Sequence, residues 1–289
     1  MTGISAVSVI MIIDVHVHLS SPDLASDRSP YLKGEVGLSI LYADPAAKLV
    51  STPDLIRELD ASHVDKALVM GFPFTLEDNA KRHNDWILEE CQKYPDRLYP
   101  LAAFDQRAPW ALRHSEEFLK NGGYGLGELC VYDEGLTEPT LENLSALAAL
   151  CRDKNAPMLV HVNEPIGHAY PGKAPMEISQ IMELVIRTQG TKLILAHFGG
   201  GLPLLACLKK NVRNYLDNVR FDTAAMPFIF EPKAIKLGAE LLGAGSFLLG
   251  TDFPLLKVPR YLKFFNEAGL TPEEIELVSG RAAAEFLGL

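Results

Sequence analysis

The stretch IIDVHVHL, residues 12–19, sets one carboxylate and two imidazoles two residues apart within an otherwise apolar run. Successive side chains of a strand point to opposite faces. This spacing therefore places Asp14, His16 and His18 on one face and Ile13, Val15, Val17 and Leu19 on the other. A half-buried strand turns its apolar side inward and assorted polar residues to water. Here the polar set is narrower, because neutral imidazoles are good ligands for divalent metals. A histidine-bearing strand that merely faces water is the plain alternative, and the rest of the chain decides between the two.

At 289 residues the chain is long enough for two domains, but an α/β barrel of this size is commonly one. Hydrophobic residues make up 48% and charged residues 22%, which suits a globule with a large core. The formal charge of -10 argues against nucleic acid or an anionic membrane as a partner. Cys91, Cys130, Cys151 and Cys207 are far apart and form no CxxC pair, so they read as free thiols in a reducing compartment. No apolar run approaches a membrane span. The opening MTGISAVSVIM lacks the basic and apolar regions of a secretory signal. Met11 offers an alternative start, with residues 1–10 an extension ahead of one domain over 11–289. A soluble, cytoplasmic protein is expected.

Strand-like runs rich in leucine and β-branched residues fall at 12–19, 66–71, 98–104, 124–131, 157–162, 192–197, 219–223 and 246–251. Helical patterns with recognisable ends lie between them. STPDLIRELDASH offers Ser51 or Thr52 as N-cap with Pro53 at the first helical position, and TEPTLENLSALAALCRDKN begins with similar chemistry. LEDNAKRHNDWILEECQKYP stops at a proline, and LTPEEIELVSGRAAAEFLGL closes the chain as a helix. Strands alternating with helices over the whole length mean βαβ units and a parallel sheet. Eight such units in about 250 residues match a single-domain (β/α)8 TIM barrel. A doubly wound open sheet competes, but no GxGxxG turn follows the first strand. The longest irregular segment, 20–50, carries Pro22, Pro30, Gly34, Gly37 and Pro45. A loop that long is usually a functional lid or disordered.

In such a barrel the chemistry collects at the C-terminal ends of the strands. His16 and His18 end the first strand, and Glu128 in GLGELC lies near the end of the fourth. His161 in MLVHVNEP ends the fifth, His197 in LILAHFGGG the sixth, and Asp252 in FLLGTDFP the eighth. One such residue is more often a satisfied core histidine or a helix-capping aspartate. Six gathered at the same end of several strands point to a metal site. Their N and O donors suit zinc, and also iron, manganese or nickel.

Together DVHVHL, GLGEL, LVHVNEP, LAHFGGG and LLGTDFP resemble the amidohydrolase superfamily over essentially the whole chain from residue 12 to 289. Within it the likeness is to the amidohydrolase-related group that includes aminocarboxymuconate-semialdehyde decarboxylase and metal-dependent lactonases. The final SGRAAAEFLGL is similar to the segment that closes those barrels, with Arg281-Ala282 where family members commonly have Asn-Ala. The TatD-like deoxyribonucleases offer a second likeness, since their fourth strand also carries a glycine-preceded glutamate. The resemblance implies that His16, His18, His161 and Asp252 bind one divalent ion, zinc first, with manganese, iron or nickel open. His197 would then act as acid/base or polarise a substrate oxygen. In a two-metal site His197 and Glu128 are ligands too, with the glutamate bridging. Otherwise Glu128 is an unligated carboxylate in the barrel mouth. No lysine replaces Glu128, so a carboxylated-lysine bridge is not expected. The resemblance also implies a homodimer.

The chemistry of the residues agrees. A divalent ion with an open position lowers the pKa of its water to about 7. Asp252 can accept that proton and return it to a leaving group, and His197 can stabilise charge developing on a substrate oxygen. A metal-dependent hydrolase of an amide, ester or lactone in a small organic substrate is the first expectation. The alternative is a non-oxidative decarboxylase of a small unsaturated or aromatic acid. A TatD-like nuclease requires a basic groove, against the charge balance. A non-enzymatic ligand-binding barrel predicts degraded ligand positions, whereas all are filled.

His168, Tyr170 and Lys173, in the loop after the fifth strand, are candidate substrate contacts, weighed against a plain turn. Arg28 and Lys33, in the loop after the first, are candidate carboxylate clamps, weighed against solvated charges. Asp222 and Asp105 end the seventh and third strands as candidate supports behind the ligands. Asp105 reads equally as a helix cap. Cys130 reads as a barrel filler, and His63, His83 and His114 as solvated helix histidines.

Overall fold

Every one of the eight expected runs is a strand, each shorter than its apolar stretch. They are β1 (Ile13–His18), β2 (Lys66–Met70), β3 (Leu98–Ala102), β4 (Gly125–Leu129), β5 (Pro157–Val160), β6 (Lys192–Leu195), β7 (Val219–Asp222) and β8 (Phe247–Leu248). The structure, a computed structural model, describes residues 11–209 and 212–289, so the extension read at 1–10 lies outside the described residues. The strands pair in parallel and in sequence order. Backbone bonds close the circle: Val15 N donates to Leu249 O at 2.9 Å, Asp252 N to His16 O at 2.9 Å and His18 N to Phe253 O at 2.8 Å. The result is a (β/α)8 barrel.

The helices begin where their caps demand. Ser51 caps Thr52–Ala61 in a reciprocal box with Asp54, and Pro53 sits in the first turn. The helix Glu77–Gln92 buries Ala80, His83, Asn84, Ile87, Leu88 and Cys91, a stripe at helical spacing. His83 and His114 are therefore not solvated, contrary to expectation. The His83 ring lies 5.3 Å from Phe74 and 5.4 Å from Trp86, and His114 Nε2 faces Asn84 Nδ2 at 3.0 Å. Charged neighbours in sequence hid the fact that both histidines occupy the inner stripe. His63 is exposed as read. No helix of the described residues is long and apolar enough to cross a membrane.

Two apolar cores follow from the closed sheet. A large one fills the space between strands and surrounding helices. A smaller one lines the barrel interior with Ile13, Val15, Leu68, Met70, Leu101, Leu159, Ile194 and Leu248, and is plugged by Ala282, Ala283 and Leu287 of the last helix. Ile13 and Val15 thus point inward, which strict alternation would deny to His16. A one-residue slip resolves this. Asp14 and Val17 of β1 face Ala67 and Val69 of β2, so three steps on one strand match two on the other. Such a bulge re-aims side chains. His16 and His18 reach the barrel mouth, while Asp14 does not share their direction. Its carboxylate turns to the segment after β8, accepting from Thr251 N at 3.0 Å and Thr251 Oγ1 at 2.5 Å. β4 slips likewise between Leu126 and Leu129, around Gly127-Glu128. The segment 20–50 is ordered as three short helices, Pro22–Ser26, Ser29–Leu32 and Val36–Tyr42. Buried Glu35 ties it to the start of the helix Glu77–Gln92 by accepting from Leu76 N and from Asn79 Nδ2.

Candidate metal centre

Three histidines are oriented from behind. His16 Nδ1 donates to Asp222 Oδ2 at 2.8 Å, His18 Nδ1 to Gly71 O at 2.8 Å and His197 Nδ1 to Ala224 O at 3.0 Å. These partners fix the tautomers and leave each Nε2 with its lone pair toward the barrel mouth, His16 and His18 toward each other at 3.1 Å and His197 toward Glu128, the arrangement that metal-binding histidines use. His161 differs: its Nδ1 faces Glu128 Oε1 at 2.9 Å, and its Nε2 is buried without a partner.

The donors form two groups, His16, His18 and Asp252, and Glu128, His161 and His197. In the first, His16 and His18 Nε2 stand 3.7 and 3.5 Å from Asp252 Oδ1. In the second, His197 Nε2 is 3.3 Å from Glu128 Oε1. Glu128 joins them, since its Oε2 lies 3.7 Å from His16 Nε2 and 3.6 Å from His18 Nε2. All six expected ligands are brought together.

Holding them there strains the backbone. His197 and Asp252 adopt left-handed φ values of 53° and 58°, which cost on the order of 1–3 kcal/mol each and persist only where surroundings dictate them. Asp222 Oδ1 accepts from His197 N at 2.9 Å, and Asp252 N is bound to His16 O as described. Gly127, with φ of 142°, precedes Glu128 where a Cβ would meet Leu159 O and Cβ at 2.7 Å, so only glycine permits that bulge.

Electrostatics describe a pocket short of positive charge. Burial pushes Glu128 up, but the imidazoles of His161 and His16 outweigh it and hold the carboxyl well below the usual range. Burial opposes protonation of His16, yet the Glu128 and Asp222 carboxylates raise it well above an ordinary histidine. His197, against the same burial, is pushed up to about 9 by Glu128. His18 is lowered by burial and by its neighbour His16. A divalent ion would take the place of the protons that His16 and His197 hold so tightly. Donor chemistry, tautomers and charge all fit such an ion.

Above the donors opens a cavity of about 700 Å³, with His18, Glu128, His161, His197 and Asp252 on its floor. That volume lies in the range of small-molecule sites. Of the expected substrate contacts, His168 and Tyr170 line it. Lys173 does not: its Nζ is paired with Glu164 at 2.8 Å, and Tyr170 Oη donates to the same carboxylate at 2.9 Å. Arg28 and Lys33 also stay outside the lining. The Arg28 guanidinium donates instead to the carbonyls of Tyr42, Asp44 and Ala47. Asp105 holds Arg107 at 2.7 Å. Cys130 is buried, and all four cysteines are free. Tyr42, Lys48, Phe72 and Tyr132 line the cavity without having been singled out from the sequence. Phe72 and Tyr132 sit just beyond β2 and β4, and that position is the signal by which the sequence reading could have found them.

A family model described as Amidohydrolase matches residues 13–289. The chain belongs to the amidohydrolase family. No curated protein is similar enough in sequence to match this amidohydrolase. Among solved structures it is similar to 5-carboxyvanillate decarboxylase from Sphingomonas paucimobilis, at 16% identity, TM-score 0.74 and coverage of 97% of this chain and 99% of that one. It is similar also to dihydroxybenzoic acid decarboxylase from Polaromonas sp. JS666, solved with manganese and the inhibitor 2-nitroresorcinol, at 17% identity, TM-score 0.68 and coverage of 96% and 97%. An amidohydrolase from Burkholderia multivorans aligns at 14% identity and TM-score 0.62, covering 96% and 99%. At these identities the likeness is one of fold.

Proposed function

We propose that this amidohydrolase is a metal-dependent non-oxidative decarboxylase of a small aromatic carboxylic acid, in place of the hydrolase first expected. The observation that carries the reading is the aromatic wall above the donors. Phe72 stacks on His18 at 5.6 Å with 6° between planes, Tyr42 meets Phe72 edge-on at 4.6 Å, and Tyr132 meets His161 edge-on at 5.1 Å. A ring-lined slot over an imidazole and carboxylate floor suits a flat substrate bearing oxygens. Two of the similar structures are decarboxylases of hydroxylated aromatic acids.

A divalent ion, manganese or zinc, held by His16, His18, His161 and Asp252 would anchor and polarise the substrate's oxygens. Asp252 is the most exposed of the six donors, at 20%, and it faces the cavity. It delivers a proton to the ring carbon that bears the carboxylate. The bond from that carbon to the carboxylate then breaks, its electron pair restores the aromatic ring, and carbon dioxide leaves. His197, with Nδ1 bound to Ala224 O, keeps Nε2 directed at Glu128, beside that set of donors.

A second reading rests on Glu128, whose two oxygens face the two donor groups separately, the position of a bridge in a two-ion hydrolase. The deciding experiment loads the protein with manganese or zinc and counts ions per chain. It then follows carbon dioxide from hydroxybenzoic acids beside hydrolysis of aryl lactones and amides. Carbon dioxide with one ion supports the decarboxylase. Hydrolysis with two ions replaces it by the second reading.

A further inference from the structure

Tyr132 follows β4, and its ring meets that of His161 edge-on at 5.1 Å between centres. Two glycines leave room for it and fix where it lies. A Cβ on Gly37, in the helix Val36–Tyr42, would stand 3.3 Å from Tyr132 Cδ2. A Cβ on Gly172, in the loop after β5, would stand 3.6 Å from Cε1 on the opposite edge. The segment that carries Tyr132 is fixed as well. Arg107, gripped by buried Asp105 at 2.7 Å, pairs with Asp133 and with Glu134 at 3.2 Å each. Segments that follow β1, β3 and β5 thus all brace the one that follows β4.

The hydroxyl on that ring lacks a good partner. Buried Tyr261 uses its own fully, accepting from Ala225 N at 3.0 Å and donating to Thr251 O at 3.1 Å. Tyr124 and Tyr170 donate to Leu287 O at 2.8 Å and to Glu164 at 2.9 Å. Among the described residues, the Tyr132 hydroxyl has only the thiol of Cys130 close by, and a thiol is a weak acceptor. Tyr132 is 8% exposed. The hydroxyls of Ser20, Thr52 and Ser279 are sealed in without partners, whereas that of Tyr132 is not sealed, and its opening is the cavity. Burial first, then the neighbouring Cys130, Glu128 and Asp252, push the phenol well above its usual range, so it keeps its proton. A ligand that fills the cavity displaces water. A covered donor then costs free energy unless the ligand supplies an acceptor.

We infer that Tyr132 sets specificity by donating a hydrogen bond to an oxygen substituent of the substrate ring, one that the metal donors do not hold. A ring bearing oxygen at that position is favoured over one bearing an alkyl group of the same size. This deepens the decarboxylase reading and rests on it for the flat ring above the donors, not for the bond that breaks.

The test is calorimetric titration of manganese-loaded protein with 2-, 3- and 4-hydroxybenzoate, each beside the methylbenzoate of the same pattern. Hydroxyl and methyl are similar in size, so each pair isolates the hydrogen bond. In wild type at least one hydroxy acid should bind about fivefold tighter than its methyl partner, the worth of one hydrogen bond. Tyr132→Phe removes a single oxygen and should abolish that preference while the methyl acid binds as before. A merely destabilised fold would weaken both acids alike. No preference in wild type, a preference that persists in Tyr132→Phe, or an equal loss for both acids overturns the proposal. A preference that depends on Tyr132, with no carbon dioxide released from any of the acids, removes the decarboxylase reading alone. Release of carbon dioxide with a preference that Tyr132→Phe leaves intact removes this inference alone.

Discussion

Asp222 holds three groups at once: His16 Nδ1 on Oδ2 at 2.8 Å, and the backbone N–H groups of His197 and Ala224 on Oδ1 at 2.9 Å each. One carboxylate thereby orients the candidate donor His16 from β1 and fixes the strained backbone of the candidate donor His197 after β6. Asp222→Asn should weaken metal binding 10–100-fold, as read by competition with a chromogenic chelator. Removing the metal altogether tests the donors directly. Chelated wild type should melt earlier and recover on adding manganese, by about 2.7 kcal/mol at a hundredfold excess over Kd. His16→Ala/His18→Ala should show neither response by calorimetry or elemental analysis. The six donors were legible because each ends an apolar run, a pattern of composition that needs no knowledge of packing. Lys48 was not, because an exposed lysine in a long loop looks the same whether it borders a cavity or open water. Arg28 was misread for the same reason: sequence tells its charge, while only the folded loop tells that three carbonyls occupy it.

At the level of elements, the centre depends on two slipped strands. The β1 bulge lets Val15 pack inside while His16 and His18 still reach the mouth, and the β4 bulge brings Glu128 between the two donor groups. Strand existence, order and direction were legible from period and alternation with helices. The slips were not, because an inserted residue leaves the count of polar positions unchanged and is set by pairing with the next strand. Gly127→Ala should therefore cost about 1–3 kcal/mol in urea unfolding through strain against Leu159, and should shift or empty the donor group that Glu128 completes. Gly250→Ala tests the same architecture from the segment after β8. Its Cβ would sit 2.9 Å from His16 Cβ, so metal affinity should fall along with stability.

For the whole molecule, pH acts through the aromatic core as well as the centre. Burial among Phe72, Phe74 and Trp86 lowers His83 to about 3 from 6.5. Between those values the unfolded chain binds a proton that the folded chain refuses. Stability contributed by neutral His83 is thus complete above pH 6.5 and is lost as pH falls below it, by up to about 1.4 kcal/mol per unit. Urea midpoints of His83→Gln should fall less steeply than those of wild type from pH 6.5 down to about 4.

The closure of the barrel has a further consequence. Asp252 N meets His16 O, so the donors nearest the beginning and end of the chain are neighbours only when β8 has docked on β1. A ribosome must deliver nearly the entire polypeptide before the ion has its full set of ligands. The metal is therefore a clasp that fastens last, and its capture reports that the circle of strands is complete.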